Sequence, residues 1–275
     1  MVLGNTSVRI LVSIFAIPLI LAVCYYGRIP FLIFVIGIGL ISFWEFSELV
    51  KKKNIYPNFI LGFLTVSIIV INKYFNFAQF EIIILISAIL ILLSELFRNK
   101  SSAILNTGAT FLGILYLGLF SSSILAIREF YNFSELLYDE GGYLIISILA
   151  SIWICDSAAF FIGSAFGKHK LFPRVSPNKS WEGAIAGFVF SVFVMIAVKA
   201  LVLDSLTLFD AIVIGIIVGL IGQLGDLVES LFKRDAGVKD SSNLIPGHGG
   251  IFDRFDSLFL TAPTVYVYLV LFVTQ

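Results

Sequence analysis

The amino-acid sequence predicts an all-α integral membrane protein, a polytopic bundle of about nine transmembrane helices. Of its 275 residues, 59% are hydrophobic and 13% are charged, whereas a soluble globular protein carries about 25% charged residues. The mean hydropathy is +1.02, and apolar residues fill the whole chain rather than one segment. The eighteen basic and eighteen acidic residues cancel, so the net charge gives no indication of nucleic-acid binding.

Nine apolar segments bounded by charged residues, Pro or Gly are the candidate spans, because a spanning helix needs about 20 mostly apolar residues. The first segment is followed by Arg28 and another apolar run, so we interpret it as a span rather than a cleavable signal peptide. The third segment is short. The candidates cover residues 9–27, 30–50, 58–73, 80–97, 107–127, 142–163, 183–202, 206–226 and 252–273.

The basic residues predict the orientation, because Lys and Arg are retained on the cytoplasmic side of a membrane. With nine spans and a cytoplasmic N-terminus, fourteen of the eighteen basic residues lie inside. The four outside are Arg28, Lys73, Arg128 and Lys199. Two of the inside loops, 164–182 and 227–251, are longer than a turn requires, are rich in Gly and Pro, and mix acids with bases. The C-terminus is then expected outside.

Three aspartates flank the second of these loops. Asp226 ends the span before it, and Asp253 and Asp256 open the next helix with the i, i+3 spacing that places them on one face. Three carboxylates crowded at membrane depth repel one another and are costly to desolvate. A divalent cation removes both penalties, and hard oxygen ligands indicate Mg²⁺ rather than zinc. The sequence therefore predicts a Mg²⁺ site formed by these three residues.

The loop between the aspartates carries basic residues and a glycine-rich turn. Glycines let backbone N–H groups approach an anion closely, and a helix beginning just after the turn adds the positive end of its dipole. The candidate phosphate-binding residues are Lys233, Arg234, Lys239, His248, Gly249 and Gly250. Acids for a metal, bases for phosphates and a glycine loop before a helix are typical of phosphoryl or nucleotidyl transfer. The alternative is an ordinary solvated loop, although idle acids are disfavoured where hydrocarbon begins.

A second candidate region lies at 156–183. Asp156 is an acid inside an apolar span, and such a residue is a functional candidate unless it only makes a polar contact between helices. We expect Ser176 and Lys179 to contact phosphate or base, and Glu182 to pair with a cation or a sugar hydroxyl. By contrast, we interpret the acids near cytoplasmic span ends beside basic residues as structural. These acids are Glu45, Glu48 and Glu95.

The loop motif resembles that of the phosphatidate cytidylyltransferase (CDP-diacylglycerol synthase) family in both order and spacing. The matching residues are Ser230, Lys233, Arg234, Lys239, Asp240, Pro246, His248, Gly249, Gly250, Asp253, Arg254 and Asp256. Upstream, Asp156-Ser157-Ala158-Ala159 and residues 176–183 also resemble that family, although Phe160 replaces a Tyr often found there. Spans one to five resemble it only in being hydrophobic.

The resemblance implies an enzyme that transfers a cytidylyl group from CTP to phosphatidic acid, releasing CDP-diacylglycerol and pyrophosphate. Asp226, Asp253, Asp256, Lys233 and Arg234 are then the expected catalytic residues, and Lys239 and Asp240 join the substrate-binding set. The chain divides into N-terminal helices at 1–140 and a catalytic region at 141–275. We expect a multi-pass protein of the plasma membrane with cytoplasmic active-site loops. The resemblance does not give the number of metal ions. It leaves as alternatives the presence or absence of a second, monovalent ion and a monomer or a homodimer.

A transporter or channel for a phosphorylated solute is the main rival class, because buried acids and a glycine-interrupted segment fit it. Against it, the charged residues cluster on one predicted face and no second half mirrors them. A transferase acting on a CDP-lipid would require a helix-borne aspartate cluster with Asp-Gly near Ala-Arg, and the sequence has no such run.

Overall fold

A computed structural model describes residues 5–247 and 249–273, and it leaves the side chains of residues 5–9 and 11 outside that description. Nine helices dominate this part of the chain. They are α1 (Asn5–Tyr26), α2 (Arg28–Lys51), α3 (Phe59–Phe75), α4 (Phe80–Arg98), α5 (Ala103–Arg128), α6 (Tyr138–Phe166), α7 (Trp181–Leu201), α8 (Leu208–Asp235) and α9 (Phe252–Phe272).

Each of the nine predicted apolar segments lies on one of these helices. Seven of them, α2 and α4 to α9, are long and apolar enough to cross a membrane by length and composition. The other two provide shorter apolar helices, Val12–Tyr26 within α1 and Phe59–Phe75. The predicted all-α, multi-pass membrane fold is confirmed.

Helix α8 extends further than its hydropathy indicates. The predicted span stops at Asp226, whereas the helix continues to Asp235 after a π-helical stretch at Val218–Gly222. The added turns remain helical although polar, and they end with Lys233 and Arg234, cations that complement the negative end of the helix dipole. The predicted loop 227–251 is therefore helical at its start, and its irregular part begins after Asp235.

The other long loop, 164–182, contains a small hairpin. Strand β1 (Lys170–Phe172) pairs with β2 (Ser176–Ser180) in antiparallel fashion, with Phe172 opposite Ser176 and an irregular register between the two ends. The hairpin ends where α7 begins. The loop is therefore an ordered platform within the otherwise helical chain that the structure describes.

The chain forms two compact units. The first consists of the residues up to Val23, Arg28–Ala126 and Phe232–Phe255, and the second of Cys24–Gly27, Ile127–Leu231 and the chain from Asp256 onward. The boundary passes through α1, α5, α8 and α9, so each of these helices contributes to both units.

In the first unit, α2, α3 and α5 pack closely because glycines leave room for one large ring. A Cβ on Gly113 would lie 2.6 Å from the ring of Phe43, and a Cβ on Gly62 would also collide with that ring. Phe43 is fully buried. An aromatic cluster of Phe46, Tyr116, Phe232 and Phe252, with ring centroids about 6 Å apart along the chain of contacts, supports the loop between α8 and α9.

In the second unit, α6, α7 and α8 approach one another through small residues. A Cβ on Gly187 would lie 2.9 Å from the carbonyl oxygen of Cys155, and one on Gly215 would lie 2.7 Å from the Cα of Val192. Small residues at such contacts let helix backbones come close, which is a main source of stability between helices in a membrane. This close packing fixes the helices that carry Asp156 and Asp226.

Candidate active site

A carboxylate cluster forms in the second unit from Asp156 on α6, Asp226 on α8 and Asp256 on α9, together with Lys179 on β2. The ammonium Nζ of Lys179 donates to Asp226 Oδ2 at 2.6 Å. Asp256 lies within electrostatic range of Asp226, Asp156 and Lys179. Of the three predicted metal ligands, Asp226 and Asp256 are thereby brought together.

The approach of α8 to α9 explains why Asp226 and Asp256 are neighbours. Gly225 precedes Asp226, and a Cβ at this glycine would lie 2.8 Å from the carbonyl oxygen of Asp256. A side chain there would push the two backbones apart. Asp226 is also oriented by Ser230, whose hydroxyl donates to Oδ1 at 3.3 Å, and Asp256 Oδ1 accepts from the backbone N–H of Ser257 at 2.6 Å.

The hairpin places Lys179 against this cluster. Its last residue, Ser180, is the N-cap of α7 and accepts a hydrogen bond from the backbone N–H of Gly183 at 3.2 Å. Gly163 and Gly167 surround the same serine, and a Cβ on Gly167 would lie 2.9 Å from Ser180 Cβ. The end of β2 is therefore packed between α6 and α7. This packing fixes the position of Lys179, the residue immediately before Ser180.

Glu182, predicted to bind substrate, makes a local contact in the structure. Its carboxylate accepts the backbone N–H of His169 at 3.2 Å and lies 2.7 Å from the ring Nδ1 of the same residue. The imidazole is largely exposed. These bonds tie the first turn of α7 to the residue before β1. Ser176, at the other end of the hairpin, is half-buried at the start of β2.

Lys233 and Asp253 form a buried ion pair in the first unit. Lys233 Nζ donates to Asp253 Oδ1 at 2.6 Å, and the two side chains are 11% and 5% exposed. Asp253 Oδ2 accepts from the backbone N–H groups of Ser241 at 3.0 Å and Gly250 at 2.8 Å. Asp253, predicted to bind a metal with Asp226 and Asp256, is thus engaged by a lysine and by the loop backbone.

The other motif residues lie at the end of α8 and along the loop that follows it. Arg234 is exposed and donates to the carbonyl oxygen of Val238 at 2.9 Å, and Lys239 and Asp240 are exposed. Gly249 has a φ of +82°, a left-handed conformation that favours glycine, and its carbonyl oxygen accepts from the N–H of Ile245 at 2.8 Å. His248 lies outside the described residues.

Glu45, which the sequence interpretation treats as structural, contacts this loop. It is fully buried on α2, and its carboxylate accepts the backbone N–H groups of Ile251 at 3.1 Å and Phe252 at 2.6 Å. The signal available in the sequence is one acid near the end of an apolar span. Nothing in its local pattern indicates a partner some 200 residues away.

Within residues 5–247 and 249–273, no three His, Cys, Asp or Glu side chains are arranged to hold a metal ion. Among the predicted ligands, Asp226 and Asp256 nevertheless offer hard carboxylate oxygens on helices that pack together at Gly225, with Asp156 within electrostatic range of Asp256. Such donors fit a hard divalent cation. The lysine ammonium on Asp226 shows that this position attracts positive charge.

Comparison with known proteins shows similarity along nearly the whole chain. The sequence model of the Cytidylyltransferase family matches residues 7–272. The phosphatidate cytidylyltransferase of Bacillus subtilis is 32% identical over 269 residues, which covers 96% of this chain and 97% of that protein. Those of Staphylococcus saprophyticus and Staphylococcus aureus are 32% and 31% identical over 268 residues, covering 96% of this chain and 99% of each relative. The similarity includes the N-terminal helices.

Proposed function

This chain belongs to the cytidylyltransferase family and acts as a phosphatidate cytidylyltransferase in phospholipid biosynthesis, and we propose that its carboxylate cluster is where CTP and phosphatidic acid react. The observation that supports this placement is the convergence of Asp156, Asp226, Asp256 and Lys179 from three helices and the hairpin. Acids that are brought together on apolar helices, despite their mutual repulsion, indicate a site for cations and phosphates.

The chemistry requires positioning more than proton transfer. An oxygen of phosphatidate attacks the α-phosphorus of CTP and forms a new O–P bond. The bond between the α-phosphorus and the oxygen that bridges to the β-phosphate breaks, and its electron pair stays on that oxygen, which leaves as part of pyrophosphate. The products are CDP-diacylglycerol and pyrophosphate. Phosphatidate is already an anion near neutral pH, so no general base is obligatory. In-line alignment and charge neutralisation supply the rate enhancement.

Cytidylyltransferases are generally metal-dependent, and we assign the metal to Asp226 and Asp256. Mg²⁺ bound there would neutralise charge on the phosphates as the pyrophosphate leaves. Asp156 increases the negative potential around that pair and so favours cation binding. Lys179 balances the charge of Asp226 and is placed to turn toward a phosphate.

The basic residues at the end of α8 and in the loop that follows it are the proposed phosphate ligands. Asp253 holds Lys233 in one orientation through the 2.6 Å ion pair, while Arg234 and Lys239 extend from exposed positions. We assign Asp240, His248, Gly249 and Gly250 to the same substrate-binding loop, with Ser176 and Glu182 on the hairpin side. We propose that these residues act together within a catalytic region at 141–275.

The membrane setting suits a lipid substrate. The acyl tails of phosphatidic acid stay in the bilayer while its headgroup meets a water-soluble nucleotide at the membrane face. The bacterial relatives indicate the plasma membrane as the location. From the distribution of Lys and Arg, we propose that the hairpin and the α8–α9 loop face the cytoplasm, where CTP is made.

The direct test is a transfer assay on the purified full chain with Mg²⁺ and phosphatidic acid in mixed micelles. Label on the α-phosphate of CTP should appear in a chloroform-soluble CDP-lipid, and label on the γ-phosphate should appear in pyrophosphate. A transporter would produce neither product. If label stays in CTP under these conditions, the proposed reaction is wrong.

A further inference from the structure

The buried carboxylate of Glu45 has no part in the mechanism above, yet it organises the loop that the mechanism uses. Its Oε1 accepts the hydroxyl of Ser242 at 2.5 Å and the N–H of Ile251 at 3.1 Å. Its Oε2 accepts the N–H of Phe252 at 2.6 Å. Both oxygens are thus bound to the segment that precedes and opens α9, within the first unit.

Ser241 joins this carboxylate to the Lys233–Asp253 pair. Its hydroxyl lies 2.8 Å from Asp253 Oδ2 and 3.3 Å from Glu45 Oε2. A hydroxyl has one proton, so the shorter contact is the stronger hydrogen bond and Ser241 lies between the two acids. The carboxylates of Glu45 and Asp253 thus accept hydrogen bonds from both ends of 241–252. We call Glu45, Asp253 and the two serines, Ser241 and Ser242, the loop clasp.

A negative charge at this position is favourable for α9. The first backbone N–H groups of a helix have no partner within the helix, and the positive end of the helix dipole lies there. Glu45 satisfies the N–H groups of Ile251 and Phe252 from another helix. A buried carboxylate needs such donors, because burial without them is strongly unfavourable.

Gly250, the last glycine of the motif, lies against the Glu45 carboxylate, which leaves little room for a side chain at this position. A Cβ on Gly250 would lie 2.7 Å from the Cδ of Glu45 and would also collide with the Ser241 hydroxyl. A side chain at position 250 would therefore compete with the Glu45 carboxylate for the same space. This connects a residue of α2, in the part of the chain that the motif does not cover, to the motif itself.

We propose that Glu45 is a positioning residue for cytidylyl transfer, holding the 241–252 loop and the Lys233–Asp253 pair in the geometry that receives substrate phosphate. The inference rests on the proposed function in one respect, namely that this loop binds substrate. Glu45 itself touches no reacting atom. It acts through the backbone of Ile251 and Phe252 and through Ser241.

The test compares Glu45→Gln with Glu95→Gln in the full chain. Gln keeps the shape of Glu but turns one acceptor into a donor, which must then face a backbone N–H or a serine. Glu95 is a matched control, since it is 8% exposed and accepts from Arg98 at 2.7 Å and Asn106 at 2.8 Å, contacts that do not involve the loop.

For Glu45→Gln we expect kcat/KM to fall at least about tenfold with KM for CTP or phosphatidate raised, because misplaced binding groups lower productive binding. Hydrogen exchange should quicken at the amides of Ser241, Gly250, Ile251 and Phe252. Glu95→Gln should lower the thermal midpoint with KM unchanged. Equal KM values for wild type and Glu45→Gln, or equal KM changes in both variants, would overturn the role of Glu45.

Two further outcomes are distinguishable. If the wild type forms no CDP-lipid, the proposed function fails, whereas an active wild type with an unaffected Glu45→Gln defeats this inference alone. If Glu45→Gln does not fold, Ser242→Ala removes a single donor from the loop clasp and should still raise KM. An unchanged KM in Ser242→Ala would then overturn the proposal.

Discussion

Lys233 and Arg234 are adjacent in the motif but differ in their surroundings. Lys233 is nearly buried against Asp253, while Arg234 is exposed and bonded to a loop carbonyl. Loss of one partner from a buried ion pair leaves an uncompensated charge, which is typically destabilising by about 3–5 kcal/mol. An exposed cation that contacts a phosphate contributes to substrate binding with little effect on stability.

We therefore expect Arg234→Ala to raise KM with a nearly unchanged thermal midpoint, since an exposed phosphate contact acts in ground and transition states alike. Lys233→Ala should raise KM and lower the midpoint together. Steady-state kinetics and thermal unfolding in detergent would separate the two. Unchanged KM for both CTP and lipid in both variants would show that the phosphate assignment is wrong.

Single substitutions also test the assignment of the metal to Asp226 and Asp256. Asp226→Asn or Asp256→Asn keeps the size of the side chain and removes its charge, so turnover should fall by about 10²-fold, as for loss of one transition-state stabiliser. The Mg²⁺ concentration for half-maximal activity should rise in the same variants. Titration of activity with Mg²⁺ measures both effects.

Asp235→Asn is the matched control, because Asp235 ends the same helix and is 69% exposed. Its Mg²⁺ response should equal that of the wild type. If Asp226 and Asp256 only hold helices together, their Asn variants should instead extract poorly, and the folded fraction should show an unaltered Mg²⁺ response.

At the scale of elements, hydropathy was sufficient to locate all nine helices, because a membrane span must be long and apolar. It did not locate the end of α8, since the last turns are polar and resemble a loop by composition. It did not predict the hairpin at 170–180, whose short polar strands lack an alternating pattern. The ion pair between Asp253 and Lys233 depends on loop geometry, which hydropathy and spacing do not encode.

Helix contacts give a test that uses two glycines. Gly225→Ala should move α9 away from α8, because the new Cβ would lie 2.8 Å from the backbone oxygen of Asp256. The distance between Asp226 and Asp256 should grow, so activity should fall and the Mg²⁺ requirement should rise. Gly108→Ala is the control, since nothing lies within 4 Å of the Cβ there. Its activity should be unchanged and its stability equal or slightly higher, because Ala favours helices by about 1 kcal/mol over Gly.

Arg128 shows how the end of one helix is tied to the start of another. It is fully buried, donates to the carbonyl oxygens of Cys24 and Tyr25 at the end of α1 and of Tyr138 at the start of α6, and stacks on the Tyr138 ring at 4.2 Å. Its sequence position identifies it only as one of the four basic residues of the predicted outer loops.

Arg128→Ala should lower the free energy of unfolding by at least about 3 kcal/mol, because several charge-assisted hydrogen bonds at about 1.5–3 kcal/mol each are lost. Arg128→Lys keeps the charge but not the planar fork, and should recover only part of that stability. Thermal unfolding in detergent measures both. The folded fraction should have normal specific activity, because none of the residues that Arg128 contacts belongs to the carboxylate cluster.

At the scale of the whole molecule, the orientation in the membrane decides whether the proposed site can meet CTP. In the predicted nine-span topology, the hairpin and the α8–α9 loop are on the same side as the N-terminus, and the loop between α5 and α6 is on the opposite side. From the excess of Lys and Arg, we propose that the first side is the cytoplasm. The helix count alone does not, because an inverted bundle would have the same nine helices.

Cysteine labelling tests this arrangement at two exposed asparagines, Asn243 in the α8–α9 loop and Asn132 between α5 and α6. The native Cys24 and Cys155 are buried, so each new thiol should dominate the signal. In intact cells a membrane-impermeant maleimide should label Asn132→Cys, and Asn243→Cys should react only after the membrane is opened. Labelling of both from one side would rule out an odd number of crossings between the two positions. Reversed labelling would place the carboxylate cluster away from cytoplasmic CTP and would therefore contradict the proposed site as well as the orientation.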